Sequence, residues 1–271
     1  MVTYCNAACK KKHRSKHKKA CERRVAELHD EELFREPPPS DDCPICFLPL
    51  PLNTGERTFQ SCCGKLICNG CINAMEEAGG RGKVNLCAFC RVPCPSSDEE
   101  NIKRIKKLIG AGNAYAFFVL GGWYATGDGV PQDIEKANEL YLRAGEFGCA
   151  EAYYNLGASY NNGRGVEMDK KKTKYYYELA AMNGCVGARH NLGCVEGQAG
   201  NIDRAMKHLI LSAKAGYELS LDAVKKGFIR GYVTKDEYAN TLRAYQQRCA
   251  VMKSKDRDKA EALRQISNSF R

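Results

Sequence analysis

The most regular pattern in the chain is a repeated arrangement of small and apolar residues. Three stretches align with a period of 36 residues: AFFVLGGWYATGDGVPQDIEKA, AYYNLGASYNNGRGVEMDKKKT and ARHNLGCVEGQAGNIDRA. Each contains an alanine, then a leucine four residues later, then a glycine directly after the leucine. Because residues i and i+4 share one face of an α-helix, each stretch predicts a helix with a small apolar face. The aligned residues are Ala116, Leu120 and Gly121, then Ala152, Leu156 and Gly157, then Ala188, Leu192 and Gly193.

A glycine-rich turn follows each predicted helix and leads into a second one. The turns GDGVPQD and GRGVEMD end at Asp133 and Asp169, which are good N-cap residues, and the third turn is shorter, around Gly200 and Asp203. Each unit is therefore predicted to be a helical hairpin. A hairpin cannot bury its apolar face alone, so the units are expected to stack into an all-α, right-handed solenoid with a concave surface. The predicted units are residues 112–148, 149–184 and 185–216, with a degenerate fourth unit at 217–250.

The recurring A-x-x-x-L-G and G-x-G-V-x-x-D elements resemble the Sel-one-like repeat, a relative of the tetratricopeptide repeat. The resemblance covers residues 112–216. It implies that residues 98–250 form a scaffold whose concave surface binds a partner protein.

Two breaks divide the rest of the chain. Pro37, Pro38 and Pro39 end a helix predicted by CERRVAELHDEELFRE, which makes residues 25–40 a helix with a proline-rich linker. The polar stretch PSSDEEN separates the cysteine-rich residues 41–97 from the repeats. Residues 251–271 are predicted to be a charged tail, either an exposed helix or a frayed end.

Charge and composition narrow the function. The chain has 271 residues, is 44% hydrophobic and carries a net charge of +10. Residues 10–24 hold nine Lys or Arg and one Glu, a local charge of +8. We interpret this cluster as a solvated face, and nucleic-acid binding or nuclear import is the minor hypothesis. The start lacks the apolar core of a secretory signal and no run is long enough to span a membrane, so we expect an intracellular protein, cytoplasmic or nuclear.

Cysteine is concentrated in the first third of the chain, where twelve of the sixteen cysteines lie. In a reducing compartment, closely paired cysteines indicate metal ligands before disulfides. A C-x-x-C turn directs two thiolates at one ion, and a structural zinc ion takes four, so four pairs predict two closed zinc sites. Spacing alone allows three ways of combining the pairs. The four pairs are Cys43 with Cys46, Cys62 with Cys63, Cys68 with Cys71, and Cys87 with Cys90.

Residues 41–97 resemble the RING finger family in the order of these pairs, in the C-P-I-C opening and in the Arg and Pro of CRVP. The resemblance implies a small α+β module with two zinc ions. It also implies that the first pair shares one ion with Cys68 and Cys71, and that the middle ligands share the other with Cys87 and Cys90.

One position departs from the family. The usual C-G-H-x-x-C segment reads Cys63-G-Lys65-L-I-Cys68, so Lys65 stands where the family has a histidine ligand. Lysine is protonated near neutral pH and does not normally bind zinc. We therefore expect an all-cysteine site in which Cys62 and Cys63 are the middle ligands. The alternative is that Cys63 is the third ligand and the second site is incomplete.

The same resemblance implies a surface for a ubiquitin-conjugating enzyme. In RING ubiquitin ligases, the residue matching Ile45 and the proline matching Pro93 form a hydrophobic groove, and the arginine matching Arg91 holds the ubiquitin thioester closed. Such catalysis is orientation without a nucleophile, in keeping with closed zinc sites. The leading hypothesis is a ubiquitin ligase that recruits this enzyme, and the alternative is a non-enzymatic zinc-binding scaffold, in which Ile45 and Pro93 are ordinary turn residues.

Residues 1–24 resemble the C-terminal half of a MYND zinc finger, with Cys5-x3-Cys9-x7-His17-x3-Cys21 and an H-K-K-A-C ending. In that family the first two of these positions and the last two belong to different zinc ions, so neither site is complete here. We expect that the start is truncated. The alternative is that the four residues close around one further zinc ion.

Overall fold

The computed structural model describes residues 18–38, 40–79 and 85–269, which divide into two compact units on either side of Pro37. The first unit contains helix α1, Lys18–Leu33, in the stretch where a helix is predicted ahead of the prolines. The second unit begins at Pro38 and contains everything else that is described.

The second unit opens with the cysteine-rich module, which we define as residues 41–97. A short 3-10 turn leads into strands β1 and β2, which pair antiparallel with Arg57 opposite Cys68 and Gln60 opposite Lys65. Helix α2 follows β2 directly. The buried core consists of cysteines together with Leu50 and Ile67. The elements are the 3-10 turn Thr54–Glu56, β1 Arg57–Gln60, β2 Lys65–Cys68 and α2 Asn69–Gly79.

A helical solenoid follows the module, and the predicted all-α solenoid of helical hairpins is confirmed. Helices pack as the hairpins α4–α5, α6–α7 and α8–α9, and each hairpin packs on the next. The helices are α3 Asp98–Gly110, α4 Ala114–Thr126, α5 Ile134–Glu146, α6 Ala150–Asn162, α7 Lys170–Met182, α8 Val186–Gln198, α9 Ile202–Lys214, α10 Glu218–Ile229 and α11 Lys235–Met252.

The structure also contains the predicted helix caps and the degenerate unit. The side chains of Asp133 and Asp169 accept hydrogen bonds from backbone N–H groups in the first turns of α5 and α7. In the degenerate unit, α11 packs on α9 and α10, and Tyr238 stacks on Phe228 with ring centroids 5.0 Å apart. Thr234 and Glu237 form a capping box at the start of α11.

The charged tail is helical. Helix α12, Lys255–Ser269, packs against α2 of the cysteine-rich module and is therefore not exposed along its whole length. Among the described residues, no helix combines the length and the apolar character that crossing a membrane requires.

The repeated glycines explain why the two helices of a hairpin pack so closely. A Cβ on Gly121 would lie 2.8 Å from Cε1 of Tyr141, and one on Gly157 would lie 2.6 Å from Cδ1 of Tyr177. These aromatic rings come from the second helix of the same hairpin. The glycine is therefore required by close packing between the two helices, beside the buried alanine and leucine of the motif.

Gly121→Ala is expected to lower the free energy of unfolding of the solenoid by about 1–3 kcal/mol, because the added methyl group overpacks against Tyr141. The adjacent Gly122 is a matched control on the same helix, since a Cβ there has no neighbour within 4 Å. Gly122→Ala is expected to stabilise by up to about 1 kcal/mol through lost backbone entropy in the unfolded chain. Urea unfolding followed by far-UV circular dichroism measures both, and equal effects would contradict the packing account.

Candidate metal centre

Four thiols form the first cluster, Cys43, Cys46, Cys68 and Cys71, whose Sγ atoms all lie within 4.8 Å of one another. The Sγ atoms of Cys43 and Cys71 are 3.9 Å apart, and those of Cys46 and Cys68 are 3.8 Å apart. Four sulfurs placed tetrahedrally at the usual zinc–sulfur distance are about 3.8 Å from one another. The first cluster therefore has the size that a tetrahedral zinc ion requires.

Local structure positions these thiols. In the C-P-I-C turn, the Cys43 N–H donates to the Leu48 carbonyl and the Phe47 N–H donates to the Cys43 carbonyl, both at 2.9 Å. Cys68 ends β2, and Cys71 lies in the first turn of α2. The strand end and the helix start therefore place these two sulfurs beside those of Cys43 and Cys46.

The second cluster consists of Cys62, Cys63, Cys87 and Cys90, again with all Sγ atoms within 4.8 Å of one another. The Cys62–Cys90 and Cys63–Cys87 sulfur distances are 3.3 and 4.0 Å. Cys62 and Cys63 occupy the turn between β1 and β2. The C-A-F-C turn repeats the hydrogen bonding of the first turn, with the Cys87 N–H donating to the Val92 carbonyl at 2.8 Å and the Arg91 N–H donating to the Cys87 carbonyl at 3.1 Å.

The two clusters have the grouping that the RING resemblance implies when Cys62 and Cys63 are the middle pair. Lys65 begins β2, is exposed and belongs to neither cluster. The structure thus brings Cys62, and not Lys65, beside Cys87 and Cys90. Metal binding by these thiols stays a prediction.

Burial and crowding shift the pKa values of the cluster thiols. Burial raises the pKa of Cys63 to about 11 and, together with the neighbouring sulfurs, raises the pKa of Cys62 and Cys71 well above the ordinary range. Burial also acts on Cys43, but backbone hydrogen bonds to its sulfur lower its pKa to about 7. Four crowded thiolates repel one another, and a divalent ion removes that repulsion as it displaces the protons.

Two residues of the C-x-x-C turns adopt a backbone conformation that usually belongs to glycine. Phe47 has φ 56° and Arg91 has φ 62°, and each directly follows the second cysteine of its turn. The left-handed conformation brings Cβ of an ordinary residue too close to the following carbonyl oxygen. The turn geometry that directs two sulfurs at one point is therefore obtained at a local energetic cost.

Phe47→Gly is expected to raise the free energy of unfolding of the module by about 0.5–1 kcal/mol, because glycine adopts this conformation without the Cβ clash but loses more entropy on folding. Phe89 offers a control, because it is also exposed and lies in the corresponding turn, without a positive φ. Phe89→Gly is expected to destabilise. Thermal unfolding of both variants measures the difference, and destabilisation by Phe47→Gly would contradict the strain at this position.

The surface residues that the RING resemblance singles out lie on these two turns. Ile45 is partly buried against the core of the module. Arg91 is exposed, with its Nη1 3.0 Å from Sδ of Met75. Pro93 is exposed and forms an isolated β-bridge with Leu86. Sequence reasoning missed three exposed apolar neighbours on the turns, although each lies within two residues of a cluster cysteine: Phe47, Phe89 and Val92.

The predicted N-terminal zinc knuckle lies mostly outside the described residues. Cys5, Cys9 and His17 are in the part of the chain that the structure does not describe, and Cys21 is a buried residue of α1.

A polar contact joins the module to the solenoid, and sequence reasoning missed it. The Arg57 guanidinium on β1 lies 2.5 Å from Oε1 of Glu151, and the Tyr115 hydroxyl donates to the same oxygen at 2.8 Å. The side chains of Arg57 and Glu151 are only 11% and 23% exposed. Phe59 stacks on Tyr115 with centroids 6.3 Å apart. The module is therefore held against the first two hairpins by a largely buried ion pair and an aromatic stack.

Comparison with known families identifies the repeats. Residues 114–146, 150–185 and 187–217 match the family model of the Sel1 repeat, which confirms the Sel-one-like resemblance. Neither a RING nor a MYND domain is recognised. No curated protein sequence matches the chain significantly.

Solved structures agree on the fold of the repeats. A Sel1 repeat protein from Oxalobacter formigenes is 21% identical, with a TM-score of 0.50, over 66% of this chain and 71% of that one. The protein c5321, a protective antigen of uropathogenic Escherichia coli strains that displays an SLR fold, is 23% identical with a TM-score of 0.51. That match covers 66% of this chain and 40% of the antigen. The likeness establishes a solenoid of Sel1-like repeats.

Proposed function

We propose that this protein is a zinc-bound scaffold for protein–protein interaction, in which the module holds two structural zinc ions and the Sel1 repeats bind a partner protein. The observation that carries the proposal is the presence of two separate sets of four thiols, each within 4.8 Å. Four thiolates in a closed tetrahedral arrangement are the donor set of structural zinc, and they leave no open position for a substrate.

In this proposal, the module binds zinc and the repeats bind the partner protein. The first and second clusters each take one ion, and each ion ties a C-x-x-C turn to another segment of the module. Zinc supplies only cross-linking here. The stacked repeats supply an extended surface of the kind that binds proteins. Exposed large side chains on the solenoid are available for such contacts, among them Phe147, Met168 and Tyr175.

Native mass spectrometry of the full chain tests the zinc proposal. The wild type is expected to carry two zinc ions, and Cys62→Ser is expected to carry one. Cys94→Ser is the control, since Cys94 lies in the module but in neither cluster, and it should keep both ions. A third ion in the wild type would indicate a further site at the N-terminal cysteines. A wild type without zinc would refute the proposal.

A second candidate function is ubiquitin ligation, with the module recruiting a ubiquitin-conjugating enzyme. The observation that favours it is that Arg91 and Pro93 are exposed on one C-x-x-C turn while Ile45 lies on the other, at the positions that the RING resemblance assigns to enzyme contact. In this function the zinc ions stay structural, and Arg91 would orient the thioester for attack by a substrate lysine.

Autoubiquitination with a panel of conjugating enzymes distinguishes the two candidates. Ligase function predicts chain formation with at least one enzyme and its loss in Ile45→Ala. Phe147→Ala, which removes an exposed apolar side chain of the solenoid, should retain activity. No chain formation with any enzyme of the panel would leave the scaffold function alone.

A further inference from the structure

The end of the described chain reaches back to the first cluster. Arg257, in the first turn of α12, donates from Nη1 to the Pro49 carbonyl at 2.8 Å and to the Met252 carbonyl at 2.9 Å. Its Nη2 lies 3.3 Å from the Leu48 carbonyl and 3.5 Å from Sγ of Cys46. The guanidinium thus sits on the turn that carries Cys43 and Cys46, although 211 positions separate Arg257 from Cys46.

The helices around this contact are fitted closely to each other. A Cβ on Gly70, in the first turn of α2, would lie 2.8 Å from the backbone nitrogen of Arg257. Farther along both helices, Nζ of Lys259 lies 2.6 Å from Oε1 of Glu77. The position of Arg257 is therefore set by helix packing and not by a flexible side chain alone.

The positive charge of Arg257 matters for metal binding at the first cluster. A zinc ion with four thiolates carries a net charge of about −2, which is costly in a partly buried site. A guanidinium that donates to one of the sulfurs offsets part of this charge and fixes the orientation of the ligand. Interactions of this kind around metal ligands typically change metal affinity by about 10–100-fold.

We infer that Arg257 is a positioning residue for the metal-bound first cluster, and that metal binding there and docking of α12 on α2 are coupled. The inference rests on the proposed zinc function. Because the coupling is a free energy shared by two equilibria, it acts in both directions: the docked helix retains the ion, and the ion retains the docked helix. Loss of the first ion, by chelation or by oxidation of its thiols, would release the C-terminal helix from the module.

Zinc release from the full-length protein into a chromophoric chelator tests the first direction. Alkylation of newly exposed thiols, mapped by peptide mass spectrometry, assigns each released ion to its cluster. Arg257→Gln is expected to weaken zinc binding at the first cluster by about tenfold or more while the second cluster is unchanged. Arg264→Gln is the matched control, because it removes a guanidinium from the same helix whose ion-pair partner, Glu261, lies in α12 itself, and it should release both ions as the wild type does.

Hydrogen exchange tests the reverse direction in the wild type. Removal of the first ion is expected to abolish the protection of backbone amides in α12 and to leave protection in α4 and α5 intact. Release from Arg257→Gln at the wild-type rate, or a first ion whose removal leaves α12 protected, would overturn the coupling while two bound ions still support the scaffold. A wild type that binds no zinc would overturn both proposals, so the two failures are distinguishable.

Discussion

Replacing Cys68 with serine is expected to release the first zinc ion and to destabilise the cysteine-rich module. Cys68 is 1% exposed and stands where β2 passes into α2, so with the proposed zinc bound its sulfur would tie this junction to the C-P-I-C turn. The apolar core beside the cysteines is small, with Leu50 and Ile67 as its other fully enclosed members. In small zinc domains, a structural zinc site contributes roughly 10–16 kcal/mol of apparent binding free energy to folding. An apolar core of this size cannot replace that contribution.

Native mass spectrometry and hydrogen exchange together measure this outcome. Protection of β1, β2 and α2 should fall sharply in Cys68→Ser, while the far-UV circular dichroism of the solenoid changes little. Cys94→Ser controls for the loss of a module cysteine outside the clusters. Retention of two ions and of a protected sheet in Cys68→Ser would contradict a structural role for the first cluster.

Glu151→Gln is expected to lower the free energy of unfolding by about 3 kcal/mol, because it leaves the Arg57 guanidinium largely buried without its counter-charge. This value is at the low end for broken buried pairs, since the Glu151 side chain is 23% exposed and water reaches it. Urea unfolding at neutral pH measures the change. Glu146→Gln is the control: its ion pair with Arg143 is well exposed, and its loss should cost less than about 1 kcal/mol. Similar losses in both variants would contradict the role of the buried pair.

The same pair predicts a dependence on pH. Burial acts to raise the pKa of Glu151, but the charge of Arg57 and the hydrogen bonds from Arg57 and Tyr115 lower it overall below its ordinary value. A carboxyl with a lowered folded pKa contributes stability above its unfolded pKa of about 4.3 and loses that contribution as the pH falls through the folded pKa. The stability difference between wild type and Glu151→Gln should therefore shrink on acidification below about pH 4. A constant difference would contradict the assignment.

The solenoid could be predicted from sequence because its signals are local. The spacing of Ala116, Leu120 and Gly121 recurs in each unit. The glycine packs against the next helix along the chain, so the contact that requires it is close in sequence. The C-x-x-C turns are equally local, which is why the grouping of thiols could be anticipated once a resemblance selected one combination.

The contacts that hold the module in place could not be predicted. Arg57 and Glu151 are 94 positions apart, and neither stands out from the surrounding polar residues. Arg257 lies in a stretch that reads as a charged, exposed tail, because a single buried face on a highly charged helix leaves little trace in the hydrophobic pattern. Only the fold brings such residues together, so sequence periodicity and residue spacing cannot predict their partners.

The return of α12 to the module also limits how this solenoid can vary. Open repeat arrays tolerate added or deleted units, because each unit contacts only its neighbours. Here the first hairpins hold the module at Glu151, and the last described helix must reach the same module at Gly70. Inserting one more repeat is expected to carry α12 away from α2, so we infer that these two contacts restrict the number of repeats. We expect the two ends of the solenoid to unfold together, where an open array would fray from one end.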